Sequence, residues 1–477
     1  MLAIDWYSMQ RKEKKLNSPI YLFDTFDRSK RLFVPLEQGK VKIYTCGPTV
    51  YDFPHIGNLR AYIFSDILRK MFEFNNYQVL HVINITDVGH LTSDADSGED
   101  KMEVASHKQH QSAWDIAKFY TEVFKKNLGE LNIAPPTIWS PATDHIQDQI
   151  DLIKKIEVAG YAYTTSDGVY FDTSKLDNYG YLARLDIDGM EPGYRVEFSG
   201  EKRNPTDFAL WKLSGKQGER QMEWQSPWGL GFPGWHIECS AMAMKYLGKT
   251  IDVHTGGIDH IPVHHTNEIA QSESVTGQKF VNYWLHVAFL TVESQKMSKS
   301  AGTFITLQEV IDRHYDPLAF RYMALTSHYR AGLNFTWEGL KGAQKALASL
   351  REKMTQYPIE KVSVDAESVK EFRGRINNDL NTPQALAFLF EVVKSTLPDA
   401  VKRVTMLELD KVLGLKLDQV PTESQIPQDV ADLLAQRQQF RREKSWSESD
   451  RVRQEIIAKG YDVEDTPQGP RIVKKGL

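Results

Sequence analysis

The sequence has few cysteines and no long apolar run. Only Cys46 and Cys239 occur among 477 residues, which argues against a disulfide scaffold and fits a reducing compartment. No stretch approaches the ~20 apolar residues needed to cross a bilayer. The first residues, MLAIDWYSMQRKEKK, become charged before any apolar segment of signal-peptide length appears. These absences predict a cytoplasmic enzyme without a membrane partner.

An excess of positive charge is also absent. The chain has 58 lysines and arginines against 63 aspartates and glutamates, so its net charge is −5. A nucleic-acid partner is not excluded, because binding needs a local basic surface rather than a basic total. The length exceeds one ordinary domain and predicts roughly two to four structural units.

The first large unit predicted is an α/β catalytic domain over residues 18–335, after a short tail at 1–17. Apolar runs ending in KIYTC and in QVLHVINITD predict two buried strands, and LRAYIFSDILRKMFEF between them predicts a helix. This order predicts a Rossmann-like parallel sheet. Ligands bind beyond the carboxyl ends of such strands, where Cys46 and Thr86–Asp87 fall.

A connective region is predicted to interrupt this sheet over about 140–225. The pattern there is irregular and contains GYAYTTSDGVYFDTSKL, which predicts a β-hairpin turning at Asp167–Gly168. The sheet pattern is expected to resume near Cys239 and to continue past the KMSKS sequence at 296–300.

Two further units follow. Helical periodicity over 336–419 predicts a bundle. VPTESQIPQD reads as a linker and opens the unit 420–477. Within that unit, a helix from about Ser447 to Gly460 and a hairpin around Pro467–Gly469 predict a small mixed α+β fold.

Two short motifs have the chemistry of a phosphate site. PHIGN, with His55 and Gly57, falls where a strand turns into a helix. A helix N-terminus offers free N–H groups and a positive dipole end to phosphate. KMSKS contributes Lys296 and Lys299, whose charge can neutralise a triphosphate in the transition state. Taken singly, each motif also fits a structural role: a histidine beside proline, or a solvated turn.

Together, about 240 residues apart, the motifs resemble the HIGH and KMSKS pair of class I aminoacyl-tRNA synthetases. The likeness extends over about residues 18–477 and is closest to the cysteinyl-tRNA synthetases. The blocks that carry it, in family order, are YTCGPTVYDFPHIGN, NITDV, KRNPTDFALWK, SPWGLGFPGWHIECSAM, HHTNEIAQSES, VNYWLH, KMSKSAGTF, SHYRAGLNF and DTPQG.

The resemblance implies a two-step reaction. ATP with Mg²⁺ would activate L-cysteine to cysteinyl-adenylate, and cysteine would then pass to the 3′ end of tRNA-Cys. The residues implied as catalytic are His55, Asn58, Lys296 and Lys299. Those implied to bind ATP are His55, Gly57, Asn58 and Lys299. Those implied to bind cysteine are Gly47, Thr86, Trp235, His236 and Asp259.

The resemblance also implies one zinc ion bound by Cys46, Cys239, His264 and Glu268. His264 and Glu268 are four residues apart in a plausible helix, so both can extend from one face. The spacing of the cysteines, however, resembles no zinc finger or ribbon. A metal that binds thiolate would separate cysteine from serine, isosteric side chains that pocket shape distinguishes only ~10–200-fold. His265 is assigned a structural or supporting role, and whether Glu268 stays bound beside cysteine is left open.

The chain departs from the common family pattern at two places. Asn58 replaces the second histidine of HIGH and cannot become cationic. After NITD, the stretch VGHLTSDADSGEDK is longer and more acidic than the common form.

Two rival functions remain open at this stage. A cysteine ligase of the mycothiol type also makes cysteinyl-adenylate but needs no tRNA-binding unit, and a noncatalytic RNA-binding paralogue would not need intact motifs. From position 431 to the end, 10 lysines and arginines face 8 acidic residues, so this unit is mildly basic. Its resemblance to an anticodon-binding region implies tRNA contacts by Trp446, Asp450, Arg453 and Asp465. The protein is expected to be a monomer.

Overall fold

The computed structural model describes residues 18–89, 100–185, 201–214, 220–297, 302–419, 428–466 and 469–474. Several predicted features lie outside these residues: the tail at 1–17, most of the acidic stretch after NITD, Lys299 with its neighbours at 298–301, most of the linker, and the turn residues 467–468.

The strands are β1 (Tyr21–Asp24), β2 (Ser29–Leu32), β3 (Lys40–Thr45), β4 (Gln78–Ile85), β5 (Ile138–Pro141), β6 (Ala162–Thr164), β7 (Gly168–Phe171), β8 (Phe208–Leu213), β9 (Trp224–Ser226), β10 (Gly229–Pro233), β11 (Ile251–Gly257), β12 (Val281–Val287), β13 (Leu290–Val292), β14 (Gln295–Lys296), β15 (Leu333–Phe335), β16 (Tyr461–Thr466) and β17 (Gly469–Lys474). The helices are α1 (Ile56–Phe74), α2 (Lys101–Gln109), α3 (Ala113–Glu130), α4 (Ile146–Val158), α5 (Trp235–Leu247), α6 (Thr266–Thr276), α7 (Leu307–Asp312), α8 (Pro317–Leu325), α9 (Trp337–Gln356), α10 (Ala366–Ile376), α11 (Thr382–Lys394), α12 (Asp399–Leu413), α13 (Gln428–Arg442) and α14 (Trp446–Ala458).

A parallel sheet of order β12-β11-β3-β4-β5 forms the centre of the described structure. Strands β3 and β4 pair in parallel and are joined by α1, as the sequence predicts. The inner strands are rich in buried β-branched residues, among them Val41, Ile43, Val82 and Val253, which is typical of strands covered on both faces. The predicted Rossmann-like α/β fold is confirmed.

A second, antiparallel sheet of order β6-β7-β8-β10-β9 lies between β5 and β11 in the chain. Strands β6 and β7 form the predicted hairpin. The amide N–H of Thr165 donates to the carbonyl of Gly168 at 2.8 Å, so the turn is centred on 166–167, one residue earlier than predicted. This sheet ends at Pro233 and therefore extends beyond the expected range of 140–225.

The parallel sheet resumes later in the chain than the expected position near Cys239. Cys239 lies in α5, and the parallel sheet resumes only at β11. The helix sequence WHIECSAMAMKYL is buried on most sides. A short apolar run of this kind cannot be told from a buried strand by periodicity alone.

Helices follow β15, as predicted. The apolar stripe of α9, Leu340, Ala343, Leu347 and Leu350, is buried. At the C-terminus, α13 packs on α14, and α14 packs on β16 of the antiparallel pair β16–β17. Helix α14 ends just before Gly460, whose φ of 85° suits a helix stop. These elements agree with a helical region and a small mixed unit, whereas the domain limits themselves stay predictions. Among the described helices, none is long and apolar enough to cross a membrane.

Candidate active site

The predicted site residues meet at the carboxyl edge of the parallel sheet. Cys46 directly follows β3 and Thr86 directly follows β4. Helix α5 brings Cys239 to the same edge. His264 comes from a π-helical turn at Ile261–His265 that runs into α6, which carries Glu268. Four separate segments therefore converge where ligands bind in this class of sheet.

The four predicted metal ligands form one buried cluster. One ligand atom from each of Cys46, Cys239, His264 and Glu268 lies within 4.8 Å of the others. Glu268 Oε1 is 3.1 Å from His264 Nε2 and 3.9 Å from Cys46 Sγ. Zinc bond lengths of ~2.0–2.3 Å give ligand separations of roughly 3.3–3.8 Å in a tetrahedral site, so the cluster is close to this geometry.

An unsatisfied nitrogen in the cluster supports a metal. His264 Nε2 is buried and makes no hydrogen bond of normal geometry, although it faces the Glu268 carboxylate. The other ring nitrogen of His264, Nδ1, lies 2.9 Å from Nδ1 of His236. Metal-bound histidines are usually held in this way by a partner at the second nitrogen. The donor set of thiolate, imidazole and carboxylate fits zinc.

The electrostatics favour the charged forms of Cys239, His264 and Glu268, whereas burial and the neighbouring Cys239 raise the pKa of Cys46 well above its usual value. Burial raises the pKa of Cys239, but the Cys46 hydrogen bond and the nearby His264 charge bring it to about 7. Burial likewise raises the pKa of Glu268, yet the charges of His254 and His264 hold it at about 2. Burial lowers the pKa of His264, while Cys239 and Glu268 raise it to about 10. Opposite charges thus compensate one another in a buried space.

His265 and His254 form an overlapping second set with Cys46 and Glu268. His265 Nε2 lies 3.3 Å from Cys46 Sγ, and its Nδ1 lies 2.7 Å from Nε2 of His286. His254 Nε2 lies 3.0 Å from Glu268 Oε2. Because these nitrogens already have partners, the contacts fit the supporting role predicted for His265. His254 and His286 were not predicted, since a single histidine in an apolar strand usually indicates core packing.

Two of the predicted cysteine-binding residues lie at strand ends beside the cluster. The N–H of Gly47 donates to Asn84 Oδ1 at 2.6 Å, and a β-carbon at Gly47 would collide with the Asn84 carbonyl. The hydroxyl of Thr86 donates to Glu238 Oε2 at 3.2 Å. Burial raises the pKa of Glu238 well above its usual value. Glu238 was missed by the sequence analysis, because nothing in the motif separates it from its neighbours.

The other three predicted pocket residues have different surroundings. The ring of Trp235 is half-buried, and its centroid lies 4.4 Å from that of His264. His236 is buried, and its Nδ1 lies 2.9 Å from Nδ1 of His264. The side chain of Asp259 is exposed, 4.0 Å from Nε2 of His260.

The two phosphate motifs lie next to each other. The methyl group of Met297 in KMSKS packs closely on Gly57, so closely that a β-carbon at Gly57 would collide with it. The N–H of Ile56 donates to the carbonyl of Ile305 at 2.9 Å, which ties α1 to the chain after KMSKS. Lys296 is exposed in β14. Lys299 lies outside the described residues.

His55 is the N-cap of α1 and has a defined tautomer. Its Nδ1 accepts from the N–H of Asn58 at 3.1 Å, so the neutral ring carries its proton on Nε2. In return, the N–H of His55 donates to Asn58 Oδ1 at 3.2 Å, which completes a capping box. Burial lowers the pKa of His55. The ring therefore presents an N–H donor on Nε2.

Three of the residues predicted to contact the anticodon share one face of α14. Trp446, Asp450 and Arg453 are spaced by four and three residues, and Trp446 is 57% exposed. Arg453 Nη2 lies 3.3 Å from Asp462 Oδ1, so it is partly engaged within the protein. Asp465 lies in β16, but its side chain is outside the described residues.

Comparison with known proteins agrees with this geometry. The family described as tRNA synthetases class I (C) catalytic domain matches residues 32–345. Cysteine–tRNA ligase 1 of Burkholderia lata is 53% identical over 456 residues, which cover 95% of this chain and 97% of that one. The chain belongs to the cysteine–tRNA ligase family.

Other matches extend this result. A DALR domain matches residues 371–396. Cysteine–tRNA ligase of Zymomonas mobilis is 42% identical and covers 94% of this chain and 97% of that one. A solved methionyl-tRNA synthetase of Mycobacterium tuberculosis in complex with methionyl-adenylate aligns with a TM-score of 0.54 at 15% identity, covering 83% of this chain and 94% of that chain. That likeness shows the class I fold alone.

Within this family, the structure gives Asn58 a capping position. We expect Asn58→Ala to lower the rate of adenylate formation by roughly 30-fold at most, because a helix cap stabilises its helix by ~0.5–2 kcal/mol and its loss can disturb the helix N-terminus by no more than that. Asn58→Gln should retain activity, since glutamine also serves at this position of a capping box. Pyrophosphate exchange measures both variants. Equal losses in both would instead indicate that the Asn58 side chain contacts ATP.

Proposed function

We propose that the protein joins L-cysteine to the 3′ end of tRNA-Cys in two steps, with ATP-Mg²⁺ as the energy source. The observation that carries this proposal is the buried cluster of thiols, imidazole and carboxylate at the ligand-binding edge of a class I catalytic fold. Identity of 53% to a cysteine–tRNA ligase over most of the chain supports the same reaction.

The cluster would hold one zinc ion through Cys46, Cys239, His264 and Glu268. Bound there, zinc would supply a soft Lewis acid that prefers the thiolate of cysteine to the hydroxyl of serine. His236 would orient the His264 ring through the contact between their Nδ1 atoms. Selection by ligand chemistry fits the enzyme's main specificity problem, because the two amino acids have nearly the same shape.

The residues of the phosphate motifs would act in the first step. A carboxylate oxygen of cysteine attacks the α-phosphorus of ATP, and the bond to the β-phosphate oxygen breaks to release pyrophosphate. The Nε2–H of His55 would donate to a phosphoryl oxygen on which charge grows. Lys296 and Lys299 would neutralise the leaving phosphates. In the second step a terminal ribose hydroxyl of the tRNA attacks the carbonyl carbon, and AMP leaves.

The rival functions have less support. The matched proteins from Burkholderia lata and Zymomonas mobilis cover 95% and 94% of this chain, and both are named cysteine–tRNA ligases. A ligase for an amino-sugar acceptor does not need that unit. The clustered metal-type ligands and the adjoining phosphate motifs also argue against a noncatalytic RNA-binding role. We further propose that the enzyme acts as a monomer in the cytoplasm.

One pair of assays tests the proposal. Purified full-length protein should exchange pyrophosphate into ATP only when L-cysteine is present, and it should charge tRNA-Cys. An amino-sugar acceptor should replace tRNA poorly or not at all. Cysteine-dependent exchange with transfer to the amino sugar alone would support the small-acceptor ligase. Absence of exchange in folded, zinc-loaded protein would overturn the proposed activity.

A further prediction concerns the exposed ring of Trp446. We expect Trp446→Ala to lower kcat/KM for tRNA charging by roughly tenfold, because base stacking on an aromatic ring contributes ~1–3 kcal/mol. Pyrophosphate exchange should not change, since α14 lies far along the chain from the phosphate motifs. Trp446→Phe should restore most of the charging. A parent-like charging rate in Trp446→Ala would exclude a tRNA contact by this ring.

A further inference from the structure

Asp379 lies in the turn between α10 and α11, and all its polar groups contact other segments. Its Oδ1 accepts from the N–H of Phe23 at 2.9 Å and from the hydroxyl of Tyr329 at 2.7 Å. Its Oδ2 accepts from Nε and Nη2 of Arg330 at 2.9 and 2.6 Å. Its carbonyl lies 2.8 Å from Nε2 of His328. The side chain is only 2% exposed.

Besides Phe23, Asp379 binds three consecutive residues, 328–330, of the chain segment 327–332, which we call the 327–332 loop. Arg60 of α1 binds the other side of this loop and is itself buried. Its guanidinium donates to the carbonyls of His328 and Ala331 in the loop, and to those of Ala288 and Phe289 just before β13. The loop is therefore fixed between α1, which begins within the PHIGN motif, and the turn that joins α10 to α11.

The 327–332 loop leads directly to the KMSKS segment. It continues into β15, which pairs in parallel with β13, and β13 pairs with β14. Lys296 ends β14, and Met297 beyond it packs on Gly57 of the HIGN motif. A continuous series of packed and hydrogen-bonded groups thus connects Asp379 to the start of KMSKS.

The backbone at this turn also depends on its contacts. Asp379 and Leu380 have φ angles of 62° and 50°, in the left-handed region. Residues other than glycine are uncommon there, and the backbone strain persists only where the surroundings hold it in place. The bonds to Phe23 and to the 327–332 loop provide that support.

We propose that Asp379 is a positioning residue that sets Lys296 and Met297, the start of KMSKS, against the N-terminus of α1 for adenylate formation. This inference rests on the proposed function. Through Arg330 and Tyr329, Asp379 fixes the loop from which β15 and the β13–β14 pair extend. The predicted metal ligands lie instead at the end of β3, in α5, in the π-helical turn and in α6, so cysteine binding does not depend on this connection.

The inference predicts a separation of kinetic constants. Asp379→Ala should lower kcat of cysteine-dependent pyrophosphate exchange by about tenfold or more, because small misplacement of catalytic groups is costly. The KM for cysteine and the zinc content should stay at parent values. Arg330→Ala should have a similar effect, and the double variant should be no slower than the slower single variant, since both remove one connection.

Asp410→Asn serves as the matched control. Asp410 is another buried aspartate of the helical region, and it accepts from the N–H groups of Leu415 and Leu417 without reaching the 327–332 loop. It should lower thermal stability but leave kcat per active site unchanged, as measured after active-site titration. If Asp379→Ala does not fold, two milder variants test the same connection. Asp379→Asn keeps the side-chain shape, and Arg330→Ala changes a side chain that is only partly buried.

The outcomes separate this inference from the proposed function. No exchange by the parent protein would overturn both. With an active parent, unchanged kcat in Asp379→Asn and Arg330→Ala would overturn the positioning role alone. So would a fall in kcat matched by Asp410→Asn, or a loss expressed only in the KM for cysteine.

Discussion

Replacing Cys239 with serine is expected to remove most of the bound zinc and to raise the KM for cysteine by about 100-fold or more. Loss of a group that merely supports a metal ligand already costs about 10–100-fold in affinity or activity. Cys239 itself lies in the cluster, and its pKa of about 7 makes it the more readily ionised of the two thiols. A serine hydroxyl is a far poorer ligand for zinc, which prefers thiolate sulfur.

Zinc content per chain, measured on the purified protein by elemental analysis, gives a readout independent of activity. Met242→Leu is a suitable control, because Met242 is buried in the same helix, belongs to neither set of metal-type ligands, and is replaced by an apolar side chain of similar volume. It should keep one zinc per chain and a parent KM for cysteine. Stoichiometric zinc together with parent cysteine affinity in Cys239→Ser would rule out the proposed ligand set.

The central sheet could be predicted because its sequence signals are local. An apolar run, a helical segment and a second apolar run specify β3, α1 and β4, and the parallel arrangement brings Cys46 and Thr86 to one edge. Helix α5 was harder to predict, because a helix buried on most sides lacks the 3.6-residue polar pattern. Local signals therefore predict β3 and β4, but they do not predict α5, which carries Cys239.

The cluster of predicted metal ligands was harder to derive from the sequence than the fold. Its ligands come from the end of β3, from α5, and from the π-helical turn and α6, so no short spacing marks them. The family resemblance supplied Cys46, Cys239, His264 and Glu268, and the structure brings these four together. Resemblance did not supply the contacts that Glu268 makes with His254, because that pairing depends on tertiary packing.

A second large effect is expected for Lys299→Ala. We predict a fall of roughly 10²–10³-fold in the rate of adenylate formation, the usual result of losing one preorganised donor to a developing charge. The adjoining structure supports this role. Met297 lies against Gly57, so the described start of KMSKS is held at the N-terminus of α1, whose free N–H groups suit a phosphate.

The measurement for Lys299→Ala is cysteine-dependent pyrophosphate exchange at saturating ATP and cysteine. The KM for cysteine should barely change, because none of the four predicted metal ligands belongs to the KMSKS segment. Lys345→Ala, which removes an exposed lysine from α9, is the matched control and should keep the parent rate. Lys299→Arg should recover part of the loss, since it preserves the charge but not the compact ammonium group. Parent-like exchange in Lys299→Ala would show that this lysine does not stabilise the transition state, and the electrostatic role would then fall to His55 and Lys296.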